Sequence, residues 1–129
     1  GALYILFVLV LLNHKNSPNI FALDNVDNAL NPGLVRFLTN ALSESTESDN
    51  KQIFLTTHNP TTLDSIDLFN KNHRLFVVSR NKTGQTEIKQ IKPPPKMTKE
   101  EWGKKYYGMS LSDIWLSGSI GGLPTGFKE

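Results

Sequence analysis

Apolar positions along the chain come in short runs separated by polar punctuation, and the runs differ in kind. The first, Ala2 to Leu12 (ALYILFVLVLL), is apolar all round. A helix with no polar face is normally buried, so this segment predicts a buried helix from Ala2 to about His14, ended by His14-Lys15 and the NSPN turn. Asn19 to Leu23 then reads as a short strand buried on both faces. Pro32, just after the candidate cap Asn31, opens an amphipathic helix to about Ser43, with Leu34, Val35, Phe37, Leu38 and Leu42 largely on one face. SESTESDN reads as a solvated acidic loop, Gln52 to Thr56 as a second buried strand, and Thr61 to Leu68 as a helix. Arg74 to Ser79 and Gln85 to Ile91 flank RNKTG, a hairpin turn in which Gly84 supplies positive φ. KPPPK is an extended spacer, and helices near Lys99 to Tyr107 and Leu111 to Leu116 close the pattern.

Short buried strands alternating with helices predict an α/β fold with a mostly parallel sheet. In such sheets ligands bind outside the carboxyl ends of the strands. Two unusual polar clusters fall there: Asp24-Asn25 after IFAL, and Thr57-His58-Asn59 after QIFLT. Asp24 ends a run that has every reason to stay apolar. A carboxylate in that place must be hydrogen-bonded, paired or bound to a metal. It either caps a turn through the backbone or holds magnesium, which takes few, hard oxygen ligands. His58 lies 34 positions after Asp24, room for one helix, one loop and a return strand. It either donates to a phosphate or is satisfied by backbone.

Composition narrows the setting only modestly. The chain has 129 residues, 38% of them hydrophobic, enough for one domain or the larger part of one. Net charge is +2, from 14 basic and 12 acidic residues, too balanced to argue for nucleic acid by itself. There is no cysteine, hence no disulfide and no thiolate metal site, which fits a cytoplasmic protein. The first apolar run is too short to span a bilayer, and neither a signal peptide nor a membrane role is expected. A buried helix at the very start of a short chain predicts that these residues are the C-terminal part of a longer polypeptide.

Together, NIFALDN followed by VDNALNP resembles the Walker B strand and D-loop of ABC-type ATPases, in the branch related to chromosome-maintenance and bacterial defence ATPases. QIFLTTHNP resembles their switch-histidine loop, and LSDIWLSGSIGGLP is similar to the end of such domains. The resemblance implies the C-terminal half of a P-loop NTPase domain binding ATP with Mg2+. Asp24 would be the magnesium-side acid and His58 the γ-phosphate sensor. Asp27, Asn28 and Leu30 would form the D-loop, which reaches across an ATP-sandwich homodimer. Gly1, 23 positions before Asp24, would belong to the signature that closes over the partner's ATP, and Asn28 and Asn59 would join it in nucleotide binding.

Two departures from the family pattern matter. Asn25 stands where the family usually has a glutamate that deprotonates the attacking water, and an amide can orient water without taking its proton. Either hydrolysis is slow, or Asp27 supplies the carboxylate. No phosphate-binding loop is present either. Gly121, Gly126 and Lys128 do not match GxxxxGK[ST], because the lysine is one place late. The P-loop is expected upstream of Gly1. The implied organisation is an ATP-binding portion over 1–92 and a Pro-rich spacer with a small helical tail over 93–129. The implied activity is ATP hydrolysis that switches an effector, a nuclease or toxin in bacterial anti-phage defence. The alternatives are a catalytically slow nucleotide-sensing scaffold and a DNA-repair ATPase using Lys82, Lys89, Lys92, Lys96, Lys99, Lys104 and Lys105. Trp102, Tyr106 and Tyr107 read as packing for the tail helix, and His14 and His73 as plain surface residues.

Overall fold

A computed structural model describes residues 1–123; Gly126 and Lys128 lie outside the described residues. The elements run α1 (Ala2–Asn13), β1 (Ile20–Leu23), α2 (Pro32–Ser48), β2 (Gln52–Leu55), α3 (Pro60–Asp64), β3 (Leu75–Arg80), β4 (Thr86–Ile91), α4 (Lys99–Lys105) and α5 (Leu111–Leu116). The class is α/β, with two small sheets. The chain divides into two compact units, Gly1–Ser65 and Ile66–Glu129.

In the first unit β1 and β2 pair in parallel, from Ile20 opposite Gln52 to Leu23 opposite Leu55. Val8 and Leu12 of α1, Leu23, Val26, and Leu38 and Leu42 of α2 form the core, with Phe21, Ile53 and Leu55 against it. α2 begins as its sequence predicts: the Asn31 side chain accepts the Leu34 N–H at 2.9 Å and Pro32 occupies the first turn.

Several expectations are corrected here. The acidic stretch expected as a loop is helical to Ser48. Its hydroxyls bond back to the helix, Thr46 to the Ser43 carbonyl and Ser48 to that of Glu44, so they do not compete for the helix's own donors. α3 is shorter than expected, because the Asp67 carboxylate accepts the Phe69 N–H and turns the chain. The strands are covered on one face only: Ile20 is 62% exposed and Phe54 55%. Likewise α1 buries Ile5, Val8 and Leu12 but leaves Leu3, Leu6, Phe7 and Val10 outward. The core of this unit follows strand alternation and one helical stripe; the other apolar positions stay on the surface.

In the second unit β3 and β4 form the expected antiparallel hairpin, closed at Gly84 with φ +83°. Ile91, Ile114 and Ile120 make its core, with Leu75, Val77, Trp102, Tyr106 and Trp115 packed around them. Trp102 and Tyr106 pack with their ring centroids 4.5 Å apart and their planes tilted by 50°. Tyr107 departs from expectation: it is 89% exposed, in left-handed backbone at φ +54° where α4 ends. His73 also differs, since it is partly buried and its Nδ1 accepts the Asp67 N–H at 3.0 Å. The hydroxyl of Thr98 and the Glu101 side chain form a reciprocal cap at the start of α4.

Candidate functional site

The parallel register sets the site, because it carries the residue after Leu23 and the residue after Leu55 to the same end of the sheet. The Thr56 N–H bonds the Leu23 carbonyl at 3.1 Å, extending the ladder by one step. The Thr56 hydroxyl then donates to Asp24 Oδ1 and accepts the Asn25 N–H at 2.8 Å. One threonine thus fixes both the acid and the turn that follows it. Asp24 is exposed, and its carboxylate is oriented across strands rather than capped by its own backbone.

From Asp24 to Ala29 the chain turns tightly, with the Asn28 N–H bonded to the Asn25 carbonyl at 3.0 Å and the Leu30 N–H to that of Asp27 at 3.3 Å. Asn25 is left-handed at φ +48° and Ala29 at φ +61°. Asparagine tolerates that conformation better than other non-glycine residues, which supplies a local reason for an amide at position 25. Alanine has no such excuse, so Ala29 holds about 1–2 kcal/mol of backbone strain.

Asp27 is buried, 8% exposed, and its Oδ2 accepts hydroxyl hydrogens from both Thr57 and Thr62. The Thr57 oxygen in turn accepts the Asn59 N–H at 2.9 Å. Asn59 caps α3 by accepting the Thr61 N–H at 2.8 Å. Nearby, burial first and the Asp27 charge second push the Tyr4 phenol above its ordinary value. Gly1 lies against the turn as well: a Cβ placed there would come within 3.3 Å of Leu30 Cδ2.

An open cleft of about 550 Å³ is lined by Asn25, Asp27, Asn28, Ala29, Leu30, His58, Asn59 and Pro60. Asn25, Asp27, Asn28, His58 and Asn59 are therefore brought together. Asp24 stands beside them on the Thr56 bridge, and Gly1 beside Leu30. Thr56, Thr57 and Thr62 carry roles that the motif pattern does not assign. A signal for two of them was present: hydroxyls at 56 and 57 directly follow a strand whose in-register neighbour ends in an acid. No group of three or more His, Asp or Glu side chains that would hold a metal occurs among the described residues. A magnesium ion needs no such group, and an exposed, oriented carboxylate beside a hydroxyl is the hard-oxygen donor it takes. Asp24 fits that role. Among the described residues no helix is long and apolar enough to cross a membrane.

Residues 1–64 match the family described as an AAA domain of the AbiEii toxin, type IV toxin–antitoxin kind. Among curated proteins nothing matches. The fold is similar to a solved structure from work on ATP-driven dimerization and DNA-stimulated activation of SMC ATPases, with TM-score 0.55 and 17% identity over 83% of this chain. The chain spans 58% of the length of that solved chain. By the family match residues 1–64 are similar to an AAA domain, and the chain shares its fold with the SMC ATPase structure.

Proposed function

We propose that this chain supplies the Walker B, D-loop and switch-histidine side of an ATP site, and that ATP draws two copies together to switch an effector. The observation that supports this most is the convergence of Asp24, Asn25, Asp27 and His58 at one end of the parallel strand pair, tied by Thr56 and Thr57. Asp24 holds magnesium, which neutralises phosphate charge when bound. His58, exposed at the cleft, donates to the γ-phosphate, and Asn25 orients the attacking water. Asn28 and Asn59 line the nucleotide cleft, and Gly1 belongs to the signature facing the second copy. A phosphate-binding loop from outside these residues completes the site. The effector is a nuclease or toxin, in keeping with the toxin–antitoxin description of the matched family and an anti-phage role.

The test is magnesium-dependent ATP binding by the full-length protein. Asp24→Ala abolishes it while the far-ultraviolet spectrum stays that of the parent; unchanged Mg-ATP binding makes Asp24 a turn residue and ends the reading. His58→Ala lowers turnover more than affinity, because a γ-phosphate contact tightens as charge shifts in the transition state.

A second reading, a slow nucleotide sensor, is favoured by the state of the two candidate water partners. Asn25 cannot accept a proton, and Asp27 Oδ2 already takes two hydroxyls. If Asp27 nonetheless serves as base, Asp27→Asn loses about 10²–10⁴-fold in turnover and Asn25→Glu changes little. In a sensor without a base, Asn25→Glu raises turnover instead. The exposed lysines from Lys82 to Lys105 make nucleic acid a candidate trigger, read as stimulation of turnover by DNA.

A further inference from the structure

Asp27 is joined to the histidine loop from both sides. Thr57 immediately precedes His58, and Thr62 lies in the helix that immediately follows it, yet both hydroxyls end on the same carboxylate oxygen. The three groups have little access to water: Thr62 is 2% exposed, Asp27 8%, and Thr57 is partly buried. A buried hydroxyl such as that of Thr62, broken from its acceptor, is costly to leave unsatisfied. The bonds also continue at each end. Thr57 accepts the Asn59 N–H, and the Asp27 carbonyl accepts the Leu30 N–H, placing Leu30 next to Gly1.

We infer that Thr57 and Thr62 are positioning residues that latch the His58 loop to the 24–30 turn through Asp27, so that a ligand contact at His58 is transmitted to residues 28–30. The regulatory part of this inference rests on the nucleotide reading above; the latch itself does not. His58 cannot move far without carrying Thr57, and Thr57 either carries Asp27 or gives up the acceptor of its partly buried hydroxyl. The 24–30 turn is a suitable receiver, since Asn25 and Ala29 both sit in left-handed backbone and a strained turn has an alternative to relax into. One carboxylate thereby makes two segments, thirty residues apart in sequence, move as one.

The experiment is amide hydrogen exchange on the full-length protein without nucleotide, because a claimed coupling needs a coupling measurement. In the parent, amides of 25–30 and of 57–62 open together with a single urea dependence. Thr57→Val and Thr62→Val accelerate exchange across 25–30 by roughly tenfold, the scale of one buried hydrogen bond to a charged group. Thr57→Ser and Thr62→Ser, which keep the hydroxyl, exchange like the parent. Thr39→Val removes another buried hydroxyl, bonded to the Val35 carbonyl within α2, and leaves 25–30 unchanged. Adding Asp27→Ala to Thr57→Val gives no acceleration beyond Asp27→Ala alone. Two separate urea dependences in the parent overturn the latch, whatever the variants do. Serine variants that behave like the valine variants also overturn it. Binding of Mg-ATP, measured in parallel on the parent, separates the two claims: loss of coupling with binding intact removes the latch alone, and coupling without binding removes the nucleotide reading alone.

Discussion

The two units spend their polar groups differently. In Gly1–Ser65 four side-chain bonds around the cleft join positions thirty or more apart: Asn25 and Asp24 to Thr56, Asp27 to Thr57 and Thr62. In the second unit the bonds mostly close turns. Asn81 Oδ1 gathers the Thr83 N–H, the Thr83 hydroxyl and the Gln85 N–H within one hairpin loop, and Asp67 and His73 settle the bend that runs between them. An exception, Lys99 to Asp67 at 3.4 Å, lies on the surface. A unit held by local bonds tolerates a lost partner locally. A unit whose site is assembled across strands transmits the loss to a distant segment, which is a useful property where a ligand has to be sensed.

The largest expected effect breaks that contrast if it fails to appear. Asp27→Ala leaves the Thr57 and Thr62 hydroxyls without their acceptor, at about 1–3 kcal/mol for each group left unsatisfied. Urea unfolding measures the loss, and it should exceed that of Asn81→Ala. The latter removes exposed turn bonds worth about 0.5–1.5 kcal/mol in all, with faster amide exchange confined to the β3–β4 hairpin. Equal losses would mean that the cross-strand bonds carry no more than turn chemistry does.

Backbone strain sharpens the comparison further, because each unit holds ill-suited residues in left-handed backbone, Ala29 in the first and Lys96 and Tyr107 in the second. Tyr107→Gly in the second unit should raise stability by about 1 kcal/mol, seen as a higher Tm, since the exposed ring packs little and the glycine needs no strain. Ala29→Gly should relieve a similar strain, offset in part by the greater entropy of glycine in the unfolded chain. If Ala29 is part of a switching turn, its variant also changes ATP turnover, whereas Tyr107→Gly does not.

The smallest effect is electrostatic. The Phe69 N–H, the Lys99 ammonium and His73 together hold the Asp67 carboxyl below the usual carboxylate range, against a weaker opposing effect of burial. A depressed folded value means the stabilisation is present above the unfolded value of about 3.9 and is lost as pH falls through the lower folded one. Because Lys99 and Asp67 are both exposed, the charge pair contributes only about 0.2–1 kcal/mol. Asp67→Asn should therefore lower stability at neutral pH by about that amount and flatten the acid limb, so that parent and variant converge once pH falls below the depressed folded value.

Much of this molecule is legible in order along the chain, because its signals are local. Asn31-Pro32 caps a helix, Gly84 turns a hairpin, Thr98 with Glu101 starts α4, and IFAL and QIFL are strands. The polar clusters after the two strands are also visible as a pair, and the motif order carries the family resemblance that residues 1–64 bear out. What the pattern misjudged was extent and cover. Ser45, Thr46 and Ser48 look like loop residues until their hydroxyls are seen turned back on the helix or buried in it. The apolar run of α1 does not say that only Ile5, Val8 and Leu12 are buried.

By itself, then, the sequence determined the kinds of element, their order, and the chemistry available after each strand, since propensity, capping and turn preference act over a few residues. Only the tertiary structure decided that Asp24 and Asn25 share one hydroxyl and that Asp27 is a buried joint between two loops. Those facts depend on parallel register, which brings Leu23 opposite Leu55 and so carries residues thirty positions apart within hydrogen-bond reach. A carboxylate written into a chain has a type and a position, but its partners exist only once the strands have chosen theirs.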